Sequence, residues 1–261
     1  MEWKGASGHI EVTVDDGVAV LLINRPEKLN ALSVPMLRDI GEGIRRFGMG
    51  SGATGLVLTG AGRAFSAGDD LPATESLREE EFEELLTSFQ DLTRAVLKTT
   101  VLVVAALNGI SVGGAAELTL ACDARIGYAG SDYLFPENDV GLTISNASTY
   151  LLPRAIGSRA LPLVLDGRRI SGLEAYDIGI IQYVVATQEE VLPRAIEVVR
   201  HWVERGLATP YHLSLLRPPL AEIEAAIARE NAVGREAWDA GTAVKGIQRF
   251  LREQEERRSK K

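Results

Sequence analysis

The 261-residue chain has a single cysteine, Cys122, so no internal disulfide can form. Its three histidines, His9, His201 and His212, show no metal-ligand spacing with Cys122, and no metal site is expected. Long apolar runs are missing: the longest, Val101 to Leu107, is far short of the roughly 18 to 20 residues that cross a bilayer, so no membrane span is expected. Excess positive charge is missing too. Lys plus Arg number 28 against 36 Asp plus Glu, a net charge of −8, which repels a phosphate backbone at long range and argues against nucleic acid as a partner. A small anionic ligand stays open, because local N–H groups and a few cations bind phosphate inside a negative protein. No apolar leader follows Met1-Glu2-Trp3-Lys4-Gly5, and a cytoplasmic protein is expected.

What is present is a folded composition, 46% hydrophobic and 25% charged, in one large α/β unit or a core with a smaller appendage. His9 to Asn24 alternates around Asp15-Asp16-Gly17, a hairpin signal. Ser33 is expected to cap a helix with Pro35 in its first turn. Gly55 to Thr59, Val101 to Ala106, Ala124 to Tyr128 and Ile181 to Val185 read as buried strands. Ser76 to Lys98 and Gly113 to Cys122 read as helices. That alternation predicts a mostly parallel sheet covered by helices. From Glu189 the pattern is helical, and the apolar faces at Leu220, Ile223, Ile227 and Ala237 to Phe250 need the core or another subunit as partner. The charged tail Arg252 to Lys261 implies no special role.

Two segments share a design. Gly55 to Thr59 leads into Gly60-Ala61-Gly62-Arg63-Ala64-Phe65-Ser66-Ala67-Gly68-Asp69-Asp70, and Val101 to Ala106 leads into Asn108-Gly109-Ile110-Ser111-Val112-Gly113-Gly114. Glycine lets backbone approach a ligand closely, so such turns can aim N–H groups at an oxygen that becomes negative during reaction. Either turn alone reads equally well as a plain sheet connection. Glu117 is the first charged residue after Val101, inside an apolar stretch where desolvation would raise its pKa towards the range useful for proton transfer. A solvent-facing first-turn acid is the alternative. Glu137 follows Tyr133-Leu134-Phe135-Pro136 and, alone, reads as a loop acid; paired carboxylates can act as acid and base, but a 20-residue separation does not show that two acids meet. Gly109-Ile110-Ser111-Val112-Gly113 also fits a G-x-S-x-G nucleophile elbow, with His201 or His212 downstream.

Ala64-Phe65-Ser66-Ala67-Gly68-Asp69-Asp70-Leu71 followed by Val103 to Asp123 resembles the enoyl-CoA hydratase/isomerase family, the crotonases. Asn24-Arg25-Pro26, Leu29-Asn30-Ala31-Leu32, Phe135-Pro136-Glu137 with Gly141, and Gly167-Arg168-Arg169-Ile170 extend the likeness over nearly the whole chain. The resemblance implies an α/β spiral of ββα repeats over residues 1–190 for acyl-CoA binding and catalysis. Residues 191–261 would form a C-terminal helical region that builds homotrimers, often paired into homohexamers. It implies an acyl-CoA thioester substrate, with CoA part of the substrate and no separate cofactor. The thioester oxygen would be held by the backbone N–H groups of Asp69 and Gly114, while Glu117 and Glu137 handle water and proton. Arg25, Lys28, Ala31, Arg63, Ser66, Ala67, Gly68, Asp70, Leu71, Gly113 and Phe250 would contact substrate or CoA. Both acids being present favours reversible hydration of a 2-enoyl-CoA, as in fatty acid metabolism. An isomerase, hydrolase or decarboxylase of the family, or a non-catalytic acyl-CoA binding relative, is the alternative.

Three departures from the family pattern bear on this. Hydratases of the family usually carry a Gly-rich turn after the second glutamate, where this chain reads Gly141-Leu142-Thr143-Ile144-Ser145-Asn146-Ala147-Ser148, so the wall around acyl group or water is altered. Asp69 occupies a position more often small and neutral, and its side chain is expected to turn away or meet a cation. Three residues after Phe250 the expected basic residue is Glu253, leaving CoA phosphates to Arg63, Arg25 or Lys28.

Overall fold

The computed structural model describes residues 2–49, 52–70 and 78–259. Strands β1 (Glu2–Lys4), β2 (Ile10–Asp15) and β3 (Val18–Ile23) form an antiparallel start, with β2 and β3 joined at the expected turn. Asp16 and Gly17 there have φ of 47° and 78°, the left-handed pair that a tight hairpin with the right-handed strand twist requires. Helix α1 (Val34–Gly48) buries Met36, Ile40, Ile44 and Phe47, a stripe at helical spacing. Ser33 is its N-cap residue, but the expected side-chain cap bond is absent among the described residues.

From there the chain winds as a spiral. Each turn gives one strand to a large sheet and the next strand to a small one. The pairs are β4 (Gly55–Gly60) with β5 (Ala64–Ser66), β6 (Leu102–Ala106) with β7 (Ile110–Val112), and β8 (Ala124–Tyr128) with β9 (Asp132–Leu134). Helix α2 (Glu79–Lys98) closes the first turn and α3 (Gly114–Thr119) follows β7. Later come α4 (Ser148–Ile156), α5 (Ala160–Asp166), β10 (Ile170–Ser171), α6 (Gly172–Ile178) and β11 (Tyr183–Val185). The large sheet has the order β1-β2-β3-β4-β6-β8-β11, parallel from β3 onward, and the small sheet runs β10-β9-β7-β5 with β5, β7 and β9 parallel. β4 and β6 are buried at every residue, which is why they read as unbroken apolar runs.

The main core lies between the two sheets and helices α1 to α6. A second cluster covers the other face of the large sheet, where Val57, Val104 and Ile126 meet Val191, Ala195 and Val199 of α7 (Val191–Arg205). Helices α8 (Thr209–Leu216), α9 (Leu220–Asp239) and α10 (Thr242–Ser259) complete the chain. Two expected helices are shorter than their apolar runs. Ser76 and Leu77 lie outside the described residues, and α2 starts at Glu79. α3 stops at Thr119 instead of reaching Cys122, because Leu120, Ala121 and Cys122 donate to carbonyls only three residues back. The Arg125 guanidinium also donates to the Thr119 and Cys122 carbonyls, at 2.8 and 3.0 Å. The last strand is Tyr183–Val185, two residues shorter at its start than expected.

Candidate active site

The three parallel strands of the small sheet end side by side, and the chemistry suggested by the sequence follows those ends. Asp69 comes just after β5, Gly114 just after β7 and Glu137 just after β9. The first two turns touch. A Cβ on Gly68, at φ 77°, would lie 2.6 Å from the Val112 carbonyl oxygen, so only glycine lets the turns pack this closely. Gly113, at φ 55°, faces the third turn, where a Cβ would lie 3.1 Å from Glu137 Oε1.

The backbone around these positions is bonded in a way that leaves two N–H groups over. Leu32 N donates to Gly68 O at 2.8 Å and Asp70 N to Leu32 O at 3.4 Å. Gly113 N donates to Leu134 O at 3.1 Å, and Glu117 N closes the first helical turn on Gly113 O at 2.9 Å. Neither the Asp69 nor the Gly114 N–H has a partner in this ladder among the described residues. Ser66 is wholly buried, with its hydroxyl donating to Asn30 O at 2.8 Å and accepting from Gly68 N at 3.1 Å, which fixes the turn. Asn30 in turn donates to Ala61 O and Ala64 O and accepts from Arg25 N.

Glu117 and Glu137 are both buried, at 1% and 6% exposure, so neither is the solvent-facing acid that the sequence left open. Burial pushes the Glu117 carboxyl well above the usual range, and the charge of Glu137 pushes it further. Glu137 is raised to about 8, mainly by desolvation, with the Asp69 carboxylate adding to the shift. The two acids therefore share one low-dielectric space, and their partners differ. Glu117 accepts from Ser145 N at 3.0 Å, Ser145 Oγ at 2.8 Å and Asn146 Nδ2 at 2.8 Å. Glu137 Oε2 is shielded from solvent with no hydrogen-bond partner among the described residues. The three donors to Glu117 oppose the upward push of burial, whereas Glu137 Oε2 has no donor to oppose it among the described residues.

Asp69 corrects an expectation. Its side chain does not turn away or meet a cation: Oδ1 is buried without a partner among the described residues, and burial raises the carboxyl to about 6. The neighbouring Asp70 takes the cation instead, pairing with Arg25 at 3.1 Å. Arg25 also donates to Ala31 O, so its charge is engaged at the turn, while Lys28 and Arg63 are exposed near the same edge. Ala31 is buried and Ala67 half-buried beside the Gly68 turn. Leu71 lies outside the described residues. Phe250 is half-buried on α10, a helix whose Gly246 packs on the Val140 backbone and whose Arg249 donates to Asp139 O, just beyond Glu137.

The elbow reading of Ser111 fails. Ser111 sits inside β7, paired to Ser66 on one side and Tyr133 on the other, not on a strand-to-helix turn. Its hydroxyl is buried with no base beside it among the described residues. Sequence reasoning in turn missed Ser145 and Asn146 as partners of Glu117, reading them only as an altered wall. It also passed over Glu230, buried in the α9 stripe with Ile223 and Ile227.

The architecture is that of the crotonases. A crystal structure of an enoyl-CoA hydratase from Bacillus halodurans superposes with a TM-score of 0.84 at 22% identity, over 92% of this chain and 99% of that one. Residues 13–254 match the family described as Enoyl-CoA hydratase/isomerase, and the chain belongs to it. A probable enoyl-CoA hydratase of Bacillus subtilis is 32% identical over 246 residues, 93% of this chain and 95% of that protein. An ethylmalonyl-CoA decarboxylase of Pongo abelii is 30% identical over 198 residues, 75% of this chain and 65% of that protein.

Proposed function

We propose that the protein adds water reversibly to a 2-enoyl-CoA thioester, giving a 3-hydroxyacyl-CoA. The observation that carries this is the unlike partnering of two buried glutamates across the Gly113-Gly114 turn. The thioester oxygen sits on the Asp69 and Gly114 N–H groups, which stabilise the enolate charge as it develops. Ionised Glu117 takes a proton from the water that attacks C3, and Glu137 delivers its proton to C2. The pair carries one proton before and after, so addition and elimination run through the same arrangement.

CoA lies along the Arg25–Ala31 and Arg63–Asp70 segments in this reading, with Lys28 and Arg63 the exposed cations near its phosphates and Phe250 at its rim. Exposed Leu207, Tyr211, Leu215 and Leu216 support assembly into a homotrimer or hexamer. The protein is read as cytoplasmic and as needing no cofactor beyond the CoA of its substrate.

Similarity to an ethylmalonyl-CoA decarboxylase favours a second reading, decarboxylation. That reaction brings a substrate carboxylate to the acyl end of the site. Here the charges of Glu117 and Asp69 would oppose it, and Arg25 is paired with Asp70. The test is to supply the purified protein with crotonyl-CoA and longer or branched 2-enoyl-CoAs, following loss of the conjugated thioester absorbance. Hydration supports the proposal. Turnover of a 2-carboxyacyl-CoA with no hydration of any enoyl-CoA overturns it in favour of decarboxylation.

A further inference from the structure

We propose that Glu230, on helix α9 of the C-terminal region, is a positioning residue for the site: it holds the Ser145–Ala147 turn in the shape that brings three donors to Glu117. The inference rests on reading Glu117 as an acid–base group. Glu230 is 5% exposed, one turn beyond Ile227 on a face that otherwise buries Ile223 and Ile227. A carboxylate at such a position costs free energy unless its oxygens are satisfied. Its partners are not cations: among the described residues it forms no ion pair. Instead Oε2 accepts from Ala147 N at 2.8 Å, while Oε1 accepts from Thr149 N at 2.8 Å and Thr149 Oγ1 at 2.6 Å.

These bonds bear on a turn that lacks the residue its backbone calls for. Asn146 and Ala147 have φ of 60° and 62°, a left-handed pair. Asparagine tolerates that region, whereas alanine is strained there. Glu230 holds Ala147 by its own N–H and holds the first turn of α4 just beyond it. With the turn so fixed, Ser145 N, Ser145 Oγ and Asn146 Nδ2 converge on Glu117, and Asn146 Nδ2 also reaches Gly114 O at 3.3 Å. Thr93 Oγ1, from α2, donates to Asn146 O at 3.3 Å and secures the other side. Glu230 thus acts on the chemistry through the turn, with its charge also adding to the upward push on Glu117, and without touching the reacting atoms.

The experiment compares Glu230→Gln with the parent protein, alone, with Ala147→Gly, and with Glu117→Gln. A glutamine at 230 keeps the size but turns an N–H2 towards N–H donors. It should lower kcat between roughly 10-fold and 100-fold, the scale of a misplaced catalytic group, and change KM little. Ala147→Gly, which removes the backbone strain, should restore part of that loss. In the Glu117→Gln background, Glu230→Gln should add no further loss. Amide hydrogen exchange at Ser145 gives a readout independent of turnover, and the exchange should speed up in Glu230→Gln while the β4 and β6 amides stay protected. Unchanged kcat and unchanged Ser145 exchange, even with a lower Tm, would overturn the proposal, as would a loss that multiplies in the Glu117→Gln background. If Glu117→Gln alone proves fully active, the acid–base reading of Glu117 fails; faster Ser145 exchange in Glu230→Gln would still establish the hold on the turn.

Discussion

The surroundings of Glu117 and of Glu137 are made of the same materials and arranged in opposite ways. Both carboxyls are buried beside a glycine turn, both are raised by desolvation, and each feels an acidic neighbour. Around Glu117, however, the loop before α4 supplies a backbone N–H, a hydroxyl and an amide, while Glu137 Oε2 meets no donor or acceptor among the described residues. Depth of burial alone would make both acids neutral. The donors oppose that push at Glu117 alone, and on the proposed reading this divides a matched pair into a base and an acid.

The largest effect comes from removing either member. Glu117→Gln and Glu137→Gln should each lower kcat by roughly 10² or more, within the 10² to 10⁴ typical of general acid–base catalysis. The double variant should be little worse than the worse single one, since the two act as a unit. Steady-state kinetics with a 2-enoyl-CoA measure both. One silent variant would break the pairing and point to a one-acid reaction.

Next in size is Asn146→Gly, which takes one of three donors from Glu117 without straining a backbone at φ 60°. Loss of a charge-assisted bond of about 1.5 kcal/mol predicts a fall in kcat of about 10-fold, with the acid limb of the pH profile moving to higher pH as Glu117 becomes harder to ionise. The same deletion leaves Glu137 untouched. An acid limb that stays in place would show that the donors do not set the ionisation of Glu117.

Stability separates the two acids less sharply but measurably. Glu137 holds its proton to about pH 8, whereas in the unfolded chain it titrates near 4.5. Between those values the unfolded state binds fewer protons than the native state, so this group makes stability fall as pH rises. Glu137→Gln removes that dependence. Its Tm should exceed that of the parent by a few degrees at pH 7.5, and the gain should shrink towards pH 5 in a calorimetric scan.

Asp69→Asn is a smaller change. It keeps the backbone N–H but removes a charge that raises Glu137, so the alkaline limb of kcat should shift to lower pH with kcat at the optimum nearly kept. Abolished turnover in a folded Asp69→Asn protein would make the side chain, not the backbone, the working group. Ser111→Ala should change nothing but packing.

The parts of this site that were legible in sequence are those the backbone dictates locally. Glycine-rich turns after two buried strands, and a carboxylate interrupting an apolar run, draw attention to Gly68, Gly113 and Glu117, though each also has a plain structural reading. The direction of the Asp69 side chain was not legible, because it depends on Arg25 choosing Asp70 as partner from across the fold. Ser145 and Asn146 were seen only as a departure, since their acceptor lies 28 and 29 residues earlier in the chain. Glu230 acts over 83 residues, from a helix whose periodicity announces its apolar face but not what a carboxylate on that face is for. The fold was legible for a complementary reason: fully buried parallel strands leave unbroken apolar runs, and each run is followed by its own punctuating turn.

The placement of Asp69, Gly114 and Glu137 after three neighbouring strands makes the small sheet a ruler. Neighbouring strands keep a pitch of about 4.8 Å, set by the hydrogen bonds between them and by nothing in the substrate. The two N–H groups and the acid are therefore mounted at the ends of evenly spaced strands. Such a mount lets the group at the end of one strand be exchanged while the neighbouring strands keep their spacing.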